Sequence, residues 1–200
     1  MSEANEAVLS EYDFIVCLDA SGSMGTEDMG GGKSRWNYMR ESVESFARDL
    51  SKYDSDGIDI VTFGGTVATW AGVTHDKVRD VFASRSPRGS TPLAEALVQA
   101  LALAGKSDKK DFIIVFTDGV PDDKKAAADV IRKQSNSQKN DDDCTILFVQ
   151  VGNDQEATRY LTQLDDDLTG CKFDIVDKKT MAEAEAFPST AALVLAAIAD

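Results

Sequence analysis

Histidine is almost absent from this chain of 200 residues, in which His75 is the only one. A serine–histidine or cysteine–histidine catalytic pair would therefore have one candidate base. His75 stands in Val73-Thr74-His75-Asp76, where we expect a helix start and a capping or solvent-facing histidine. The sequence thus favours a function that needs no nucleophile and base.

Cysteine is also scarce, with three residues in the chain and no Cys/His spacing typical of a zinc site. An odd number of cysteines without a secretory signal favours reduced thiols. Cys17 lies in an apolar run and is interpreted as a small core residue. Cys144 and Cys171 each precede a predicted strand, so a disulfide between them remains an alternative if those strands are neighbours.

Basic charge is limited: 21 lysines and arginines face 35 acidic residues, for a net charge of −14. This balance argues against nucleic acid or an anionic membrane as a partner, because both need a basic surface. Long hydrophobic runs are missing too. The near-apolar stretch 191–199 is far shorter than the roughly 20 residues that span a bilayer, so we interpret it as a closing helix and expect no membrane insertion.

The beginning of the chain is polar and acidic. Residues 1–11 lack a basic region followed by an apolar core, so we expect a cytoplasmic protein, or a chain from which a signal has been removed. Length and a hydrophobic content of 42% fit one domain. We therefore predict an acidic N-terminal tail at residues 1–10 and a single domain over residues 11–200.

Apolar runs alternate with helical patterns along the chain. Residues 12–18, 112–116 and 145–151 resemble strands buried on both faces of a parallel sheet. Between them, apolar residues recur at three- and four-residue spacing, as in Trp36, Met39 and Val43. This alternation predicts an α/β fold with a doubly wound, open sheet.

The edges of the sheet are predicted from two further patterns. Residues 57–63 and 66–70, joined through Gly64-Gly65, resemble a hairpin that adds one antiparallel strand. Residues 172–176 would form the last strand. The expected order of the six strands is 3-2-1-4-5-6, which places the ends of strands 1 and 4 at the switch point where such sheets bind ligands.

Oxygen-bearing side chains mark that switch point. Asp19-Ala20-Ser21-Gly22-Ser23 follows the first apolar run, Asp118 follows the 112–116 run, and Thr91 precedes a predicted helix. Oxygen donors suit a hard cation, so we expect Mg²⁺, with Mn²⁺ or Ca²⁺ as alternatives.

The charge of the donor set predicts the partner. Three of the five donors are neutral hydroxyls, so a bound cation would keep much of its positive charge and favour an anionic ligand. We expect that ligand to be an Asp or Glu side chain of another protein.

These motifs resemble the von Willebrand factor A domain and its metal-ion-dependent adhesion site, over about residues 11–199. The resemblance implies a Rossmann-like fold, direct metal ligation by Ser21, Ser23 and Thr91, and Asp19 and Asp118 acting mostly through water. It also implies a protein-interaction module rather than an enzyme, similar to small intracellular members that serve as scaffold or stress-response components. The alternative interpretation is that the two serines cap a turn and Asp118 starts one.

Other motifs give weaker alternatives. Asp19 stands where haloacid-dehalogenase-type phosphohydrolases place their nucleophile, but those enzymes need a second Asp where this chain has Ser21. Residues 30–34 end like a phosphate-binding loop, yet the required first glycine is Glu27. We interpret this segment as a loop, with a binding rim as the alternative. Asp122 and Asp123 are predicted at a helix N-terminus, with a supporting role at the metal site as the alternative.

Overall fold

The computed structural model describes residues 7–54 and 57–200, which fold around one six-stranded sheet. The strand order is 3-2-1-4-5-6, and every pair is parallel except β2 with β3. This confirms the predicted fold class and its antiparallel edge. The strands are β1 (Tyr12–Asp19), β2 (Ile58–Gly64), β3 (Thr66–Val73), β4 (Lys110–Thr117), β5 (Cys144–Gln150) and β6 (Val176–Thr180).

Helices cover both faces of the sheet. The first of them begins after Ser34, whose side chain accepts a hydrogen bond from the Asn37 N–H and so caps the helix. The helices are α1 (Arg35–Leu50), α2 (Val78–Ala83), α3 (Leu93–Leu103), α4 (Lys124–Ser137), α5 (Gln155–Asp165), α6 (Met181–Ala186) and α7 (Thr190–Ile198).

The central strand β1 supplies side chains to two separate core layers. Phe14, Val16 and Leu18 pack on one face of the sheet, and Ile15 and Cys17 pack on the other. Because both faces are covered, the strand is apolar along its length instead of alternating with polar residues. This burial fixes where β1 ends, and therefore where Asp19 lies.

The predicted last strand at residues 172–176 is wrong, since β6 begins at Val176 and runs to Thr180. The preceding segment is tied to α4 instead of the sheet. The Ser135 hydroxyl donates to the Phe173 carbonyl at 2.7 Å and accepts from the Phe173 N–H at 2.9 Å. These bonds occupy the backbone groups that a strand would have paired with β5.

The described residues also bear on the termini and the thiols. All three cysteines are free, with Cys17 and Cys144 buried. Leu9 is fully buried in the core; residues 1–6 of the predicted acidic tail lie outside the described residues, so the boundary at residue 10 stays a prediction. Over the described ranges, no helix has both the length and the apolar character needed to cross a membrane.

Candidate metal-binding site

The candidate site lies at the carboxyl ends of β1 and β4, which are parallel neighbours. Asp19 is the last residue of β1, and Asp118 directly follows β4. Because the chain winds in opposite directions from these two strands, their following loops separate and leave a crevice between them. Both aspartates are nearly fully buried at the bottom of this crevice, with 0% and 1% of their surface exposed.

Asp19 is held by hydrogen bonds to both of its carboxylate oxygens. Its Oδ1 accepts from the Ser21 N–H, and its Oδ2 accepts from the Thr117 hydroxyl, each at 2.7 Å. Burial raises the pKa of Asp19 to about 6, and the hydrogen bonds from Ser21 and Thr117 oppose that rise. The carboxylate is therefore oriented and ready to face a cation, whose charge would favour its ionised form.

Hydroxyl groups connect the first aspartate to the second. The Oγ atoms of Ser21 and Ser23 are 3.2 Å apart, and the Ser23 hydroxyl donates to Oδ1 of Asp118 at 2.8 Å. Ser21 is buried, whereas Ser23 is exposed at the mouth of the crevice. The structure thus places four of the five predicted residues in one continuous hydrogen-bonded set.

Thr91, the fifth predicted residue, is held beside this set through its backbone. Its N–H donates to Oδ1 of Asp122, and its carbonyl accepts from the Asp122 N–H, both at 3.0 Å. On the other side, the Gly22 N–H donates to the Gly89 carbonyl at 3.1 Å. The Thr91 loop is therefore bonded to the loop that carries the serines and to the loop that carries Asp118.

Two glycines allow these loops to approach so closely. A Cβ on Gly64 would lie 2.2 Å from the Ala20 carbonyl oxygen, which is a severe clash with backbone. Gly89 has a φ of +77°, and a Cβ there would lie 2.7 Å from Cα of Gly65. Only glycine combines this backbone conformation with so little space.

Arg35, the first residue of α1, was not predicted from the sequence as part of the site. Its Nη1 donates to Oδ2 of Asp118 at 2.8 Å, while Nε and Nη2 donate to Asp28 at 3.0 and 2.6 Å. The side chain is 12% exposed. No motif marks such an arginine, and its only sequence signal is its place at the end of the glycine loop.

The donor set fits a hard divalent cation. It consists of carboxylate and hydroxyl oxygens, with no sulfur or imidazole to favour zinc or copper. The two buried carboxylates supply charge, and the hydroxyls of Ser21 and Ser23 rotate freely enough to turn their lone pairs inward. Asp19, Ser21, Ser23 and Asp118 are the residues that would hold such an ion, with Thr91 at the adjoining loop.

The neighbouring motifs have local structural roles. Gly30–Gly32 forms a short 3₁₀ turn, closed by a bridge between Met29 and Lys33. Asp123 caps α4 by accepting from the Ala126 N–H at 2.9 Å, as expected for a helix N-terminus. Asp122 instead holds the Thr91 backbone. His75 is exposed in the turn before α2.

A second group of carboxylates lies at the edge strand β6. Oxygens of Asp165, Asp177 and Asp200 are within 4.8 Å of one another. Asp177 is buried, and its Oδ1 pairs with Lys179 at 2.5 Å. Burial, followed by the charge of Asp177, raises the pKa of Asp165 to about 6. This group has an internal cation and lacks the hydroxyl ligands of the first site.

Sequence comparison finds one matching family model, described as the von Willebrand factor type A domain, over residues 14–120. The matched segment contains all five predicted ligands. A comparison with curated proteins finds no match.

Solved structures resemble the chain at low sequence identity. Manganese-loaded TRAP protein of Plasmodium vivax has 18% identity and a TM-score of 0.60, with 88% of this chain and 71% of that one covered. The PilB minor pilin of Streptococcus sanguinis has 13% identity and a TM-score of 0.64, covering 92% and 59%. The VWA domain of SpRpn10 has 12% identity and a TM-score of 0.58, covering 92% and 93%. At these identities the likeness establishes the fold alone.

Proposed function

This chain belongs to the von Willebrand factor type A domain family, and from that premise we propose that it is a metal-dependent protein-interaction module. The partner would present an Asp or Glu side chain to a Mg²⁺ ion held at Asp19, Ser21, Ser23, Thr91 and Asp118. The observation that carries this proposal is the hydrogen-bonded set from Asp19 through the two serines to Asp118.

The burial of the site supports binding rather than mere attraction of ions. Asp19 and Asp118 are enclosed at the bottom of the crevice, while Ser23 at its mouth is exposed. The buried carboxylates keep their positions because each has hydrogen-bond donors fixed by the backbone or by a neighbouring strand. A partner can therefore approach from the Ser23 side without moving the strands.

The ligand types support an acidic partner. A bound Mg²⁺ would supply a positive position that accepts an oxygen from outside the protein. The hydroxyls of Ser21, Ser23 and Thr91 add no negative charge, so the site would leave that position attractive to a carboxylate. This local attraction is needed because the chain carries a net charge of −14, whose repulsion is screened over roughly 8 Å at physiological salt.

One structural relative supports a metal in this fold, since the Plasmodium vivax TRAP protein is manganese-loaded. We therefore keep Mn²⁺ beside Mg²⁺ as a candidate ion, with Ca²⁺ as a further one. The same comparisons give no support to the phosphohydrolase alternative. A cytoplasmic scaffold or stress-response role stays part of the proposal, and imaging a tagged chain in the source cell tests the location.

The proposal is tested first by titrating the purified chain with Mg²⁺ and Mn²⁺ in a calorimeter. Wild type is compared with Asp19→Asn and Asp118→Asn, which keep the side-chain shape. The matched control is Asp111→Asn, which changes a buried carboxylate at the other end of β4. We expect wild type and the control to bind one ion and both site variants to lose most of the affinity. Equal binding by all four chains would place the ion elsewhere.

The partner is tested separately with cell lysate in Mg²⁺ or in EDTA. A protein retained by wild type and Asp111→Asn in Mg²⁺, but lost in EDTA and with Asp19→Asn, is the expected result. Its Asp and Glu residues are then replaced one at a time. Retention of every interactor in EDTA would contradict metal-dependent binding.

A further inference from the structure

Arg35 already places a positive charge at the candidate metal site. Its guanidinium contacts Oδ2 of Asp118, the oxygen that does not accept from Ser23. Both oxygens of this buried carboxylate are thus engaged by the protein. Removing a buried carboxylate from water is costly without a charged partner, so this contact stabilises the site before any ion arrives.

We infer that Arg35 is the built-in counter-cation of the candidate metal site and lowers its affinity for a divalent ion. The inference rests on the proposed function, because it concerns the same site. Asp19 and Asp118 carry two negative charges, and Arg35 offsets one of them. An ion that binds must therefore share Asp118 with a guanidinium that repels it.

Arg35 is fixed in place from three sides, so the contact is not a chance approach of a long side chain. Asp28 accepts from Nε and Nη2, and Asp118 accepts from Nη1. The plane of the guanidinium passes close to Gly152, where a Cβ would lie 2.9 Å from Nε. The side chain thereby joins the loops that follow β1, β4 and β5.

Asp28 and Asp118 differ in how strongly they hold the arginine charge. The Asp28 side chain is 35% exposed, so water screens its interaction with Arg35. The Asp118 side chain is fully buried, where the same interaction is screened less. Asp28 keeps the guanidinium anchored if Asp118 turns towards an ion, and the positive charge stays beside the site.

This arrangement has a consequence for the partner. Because one carboxylate is offset, the protein neutralises less of the charge of a bound ion, and a partner carboxylate gains more by binding. Arg35 thus exchanges affinity for the ion against preference for an anionic ligand. A domain with this arginine would hold its ion weakly when free and more firmly when a partner is bound.

The test is a titration with Mn²⁺ alone, followed through the electron paramagnetic resonance signal of the free ion. Wild type is compared with Arg35→Gln and Arg35→Lys. The matched control is Arg79→Gln, which removes an arginine that makes the same two-oxygen contact with Glu44 on the protein surface. Circular dichroism confirms that each variant is folded.

We expect Arg35→Gln to bind Mn²⁺ at least about tenfold more tightly, which is the effect of a unit charge about 6 Å from a divalent ion even in water. Arg35→Lys keeps the charge and should stay near wild type, as should Arg79→Gln. Without metal, Arg35→Gln should also melt at a lower temperature, because Asp118 then lacks its charged partner, and Mn²⁺ should restore the difference.

The outcomes separate this inference from the proposed function. If wild type binds Mn²⁺ and Arg35→Gln binds it equally or more weakly, the inference is overturned and the metal site stands. If Arg35→Lys binds as tightly as Arg35→Gln, the charge argument is overturned. If no chain binds Mn²⁺, both fail. Binding by Arg35→Gln alone supports the inference in its strongest form, with the arginine excluding the ion.

A second variant keeps the inference testable if Arg35→Gln does not fold. In Asp28→Asn the anchor loses its charge, so Arg35 interacts more strongly with Asp118. We expect Mn²⁺ binding to weaken by about threefold or more, within the usual range of coupling between neighbouring charges. Unchanged or tighter binding would contradict the role given to Arg35.

Discussion

The Thr117 hydroxyl donates to Oδ2 of Asp19 at 2.7 Å and so joins the last residues of two neighbouring parallel strands. Thr117 is buried, and Asp19 is fully enclosed. The bond satisfies a carboxylate oxygen that is removed from water, and it opposes the rise in the pKa of Asp19 that burial causes. Thr117 therefore stabilises the site although it was not among the predicted ligands.

Replacing Thr117 by valine tests this relationship. The shape is kept, but Oδ2 of Asp19 loses its donor, so we expect the free energy of unfolding to fall by about 1–3 kcal/mol. Urea denaturation without metal measures the change. Thr117→Ser, which keeps the hydroxyl, should lose much less. Equal stability of the valine variant and wild type would mean that the bond contributes nothing.

Asp122 and Asp123 are adjacent but have different contacts, which makes them a matched pair. Asp122→Ala removes the acceptor of the Thr91 N–H, so we expect metal affinity to fall by about tenfold, as for other residues that orient metal ligands. Asp123→Ala removes the cap of α4 and should lower stability by about 1 kcal/mol without changing metal affinity. Calorimetry and urea denaturation of both variants distinguish the two roles, and the reverse pattern would contradict them.

Gly64 should tolerate no side chain. In Gly64→Ala the new Cβ would lie 2.2 Å from the Ala20 carbonyl oxygen, so β2 and the loop after β1 must separate. We expect a loss of about 3 kcal/mol of stability, at the upper end of overpacking effects, together with weaker metal binding. Gly30→Ala is the control, because its Cβ would meet nothing within 4 Å. A folded, metal-binding Gly64→Ala of wild-type stability would show that the loops can adjust freely.

The carboxylates near β6 predict a dependence of stability on pH. Burial and then the charges of Asp177, Asp166, Asp200 and Asp174 raise the pKa of Asp165 from 3.8 to about 6. In the folded chain Asp165 thus gains a proton between about pH 6 and pH 4, where the unfolded chain binds less. The contribution of this group to the free energy of unfolding should therefore increase as the pH falls through that window.

Asp165→Asn isolates that contribution. The variant should be more stable than wild type at neutral pH, and the difference should shrink as the pH falls towards about 4. Asp167→Asn, an exposed neighbour on the same chain segment, is the control and should follow wild type. Thermal melts at a series of pH values measure the effect. A constant difference between Asp165→Asn and wild type at all pH values would contradict the assignment.

Sequence patterns predicted the elements whose signal is local and strong. The continuous apolar runs that became β1, β4 and β5 arise because both faces of those strands are covered. The family resemblance drawn from the 19–23, 91 and 117–119 motifs is confirmed by the match over residues 14–120. Metal ligation by these residues stays a prediction, although the structure places Asp19, Ser21, Ser23 and Asp118 together.

The last strand was predicted several residues too early because its sequence gives a misleading local signal. Phe173 and Ile175 are apolar, but Phe173 is fastened to Ser135 of α4. The true strand, Val176–Thr180, contains an aspartate and two lysines. It is an edge strand, where charged side chains are common because one side has no further strand to pair with.

The sequence by itself determined which residues carry oxygen donors, where the buried strands end, and hence which family the chain belongs to, because covalent order and hydrophobic pattern are local properties. Only the tertiary structure decided that Arg35 reaches Asp118, that Asp122 holds Thr91, and that Thr117 holds Asp19. These contacts join residues 31 to 98 positions apart. They exist because neighbouring loops meet at one end of a twisted sheet, and no spacing along the chain encodes that meeting.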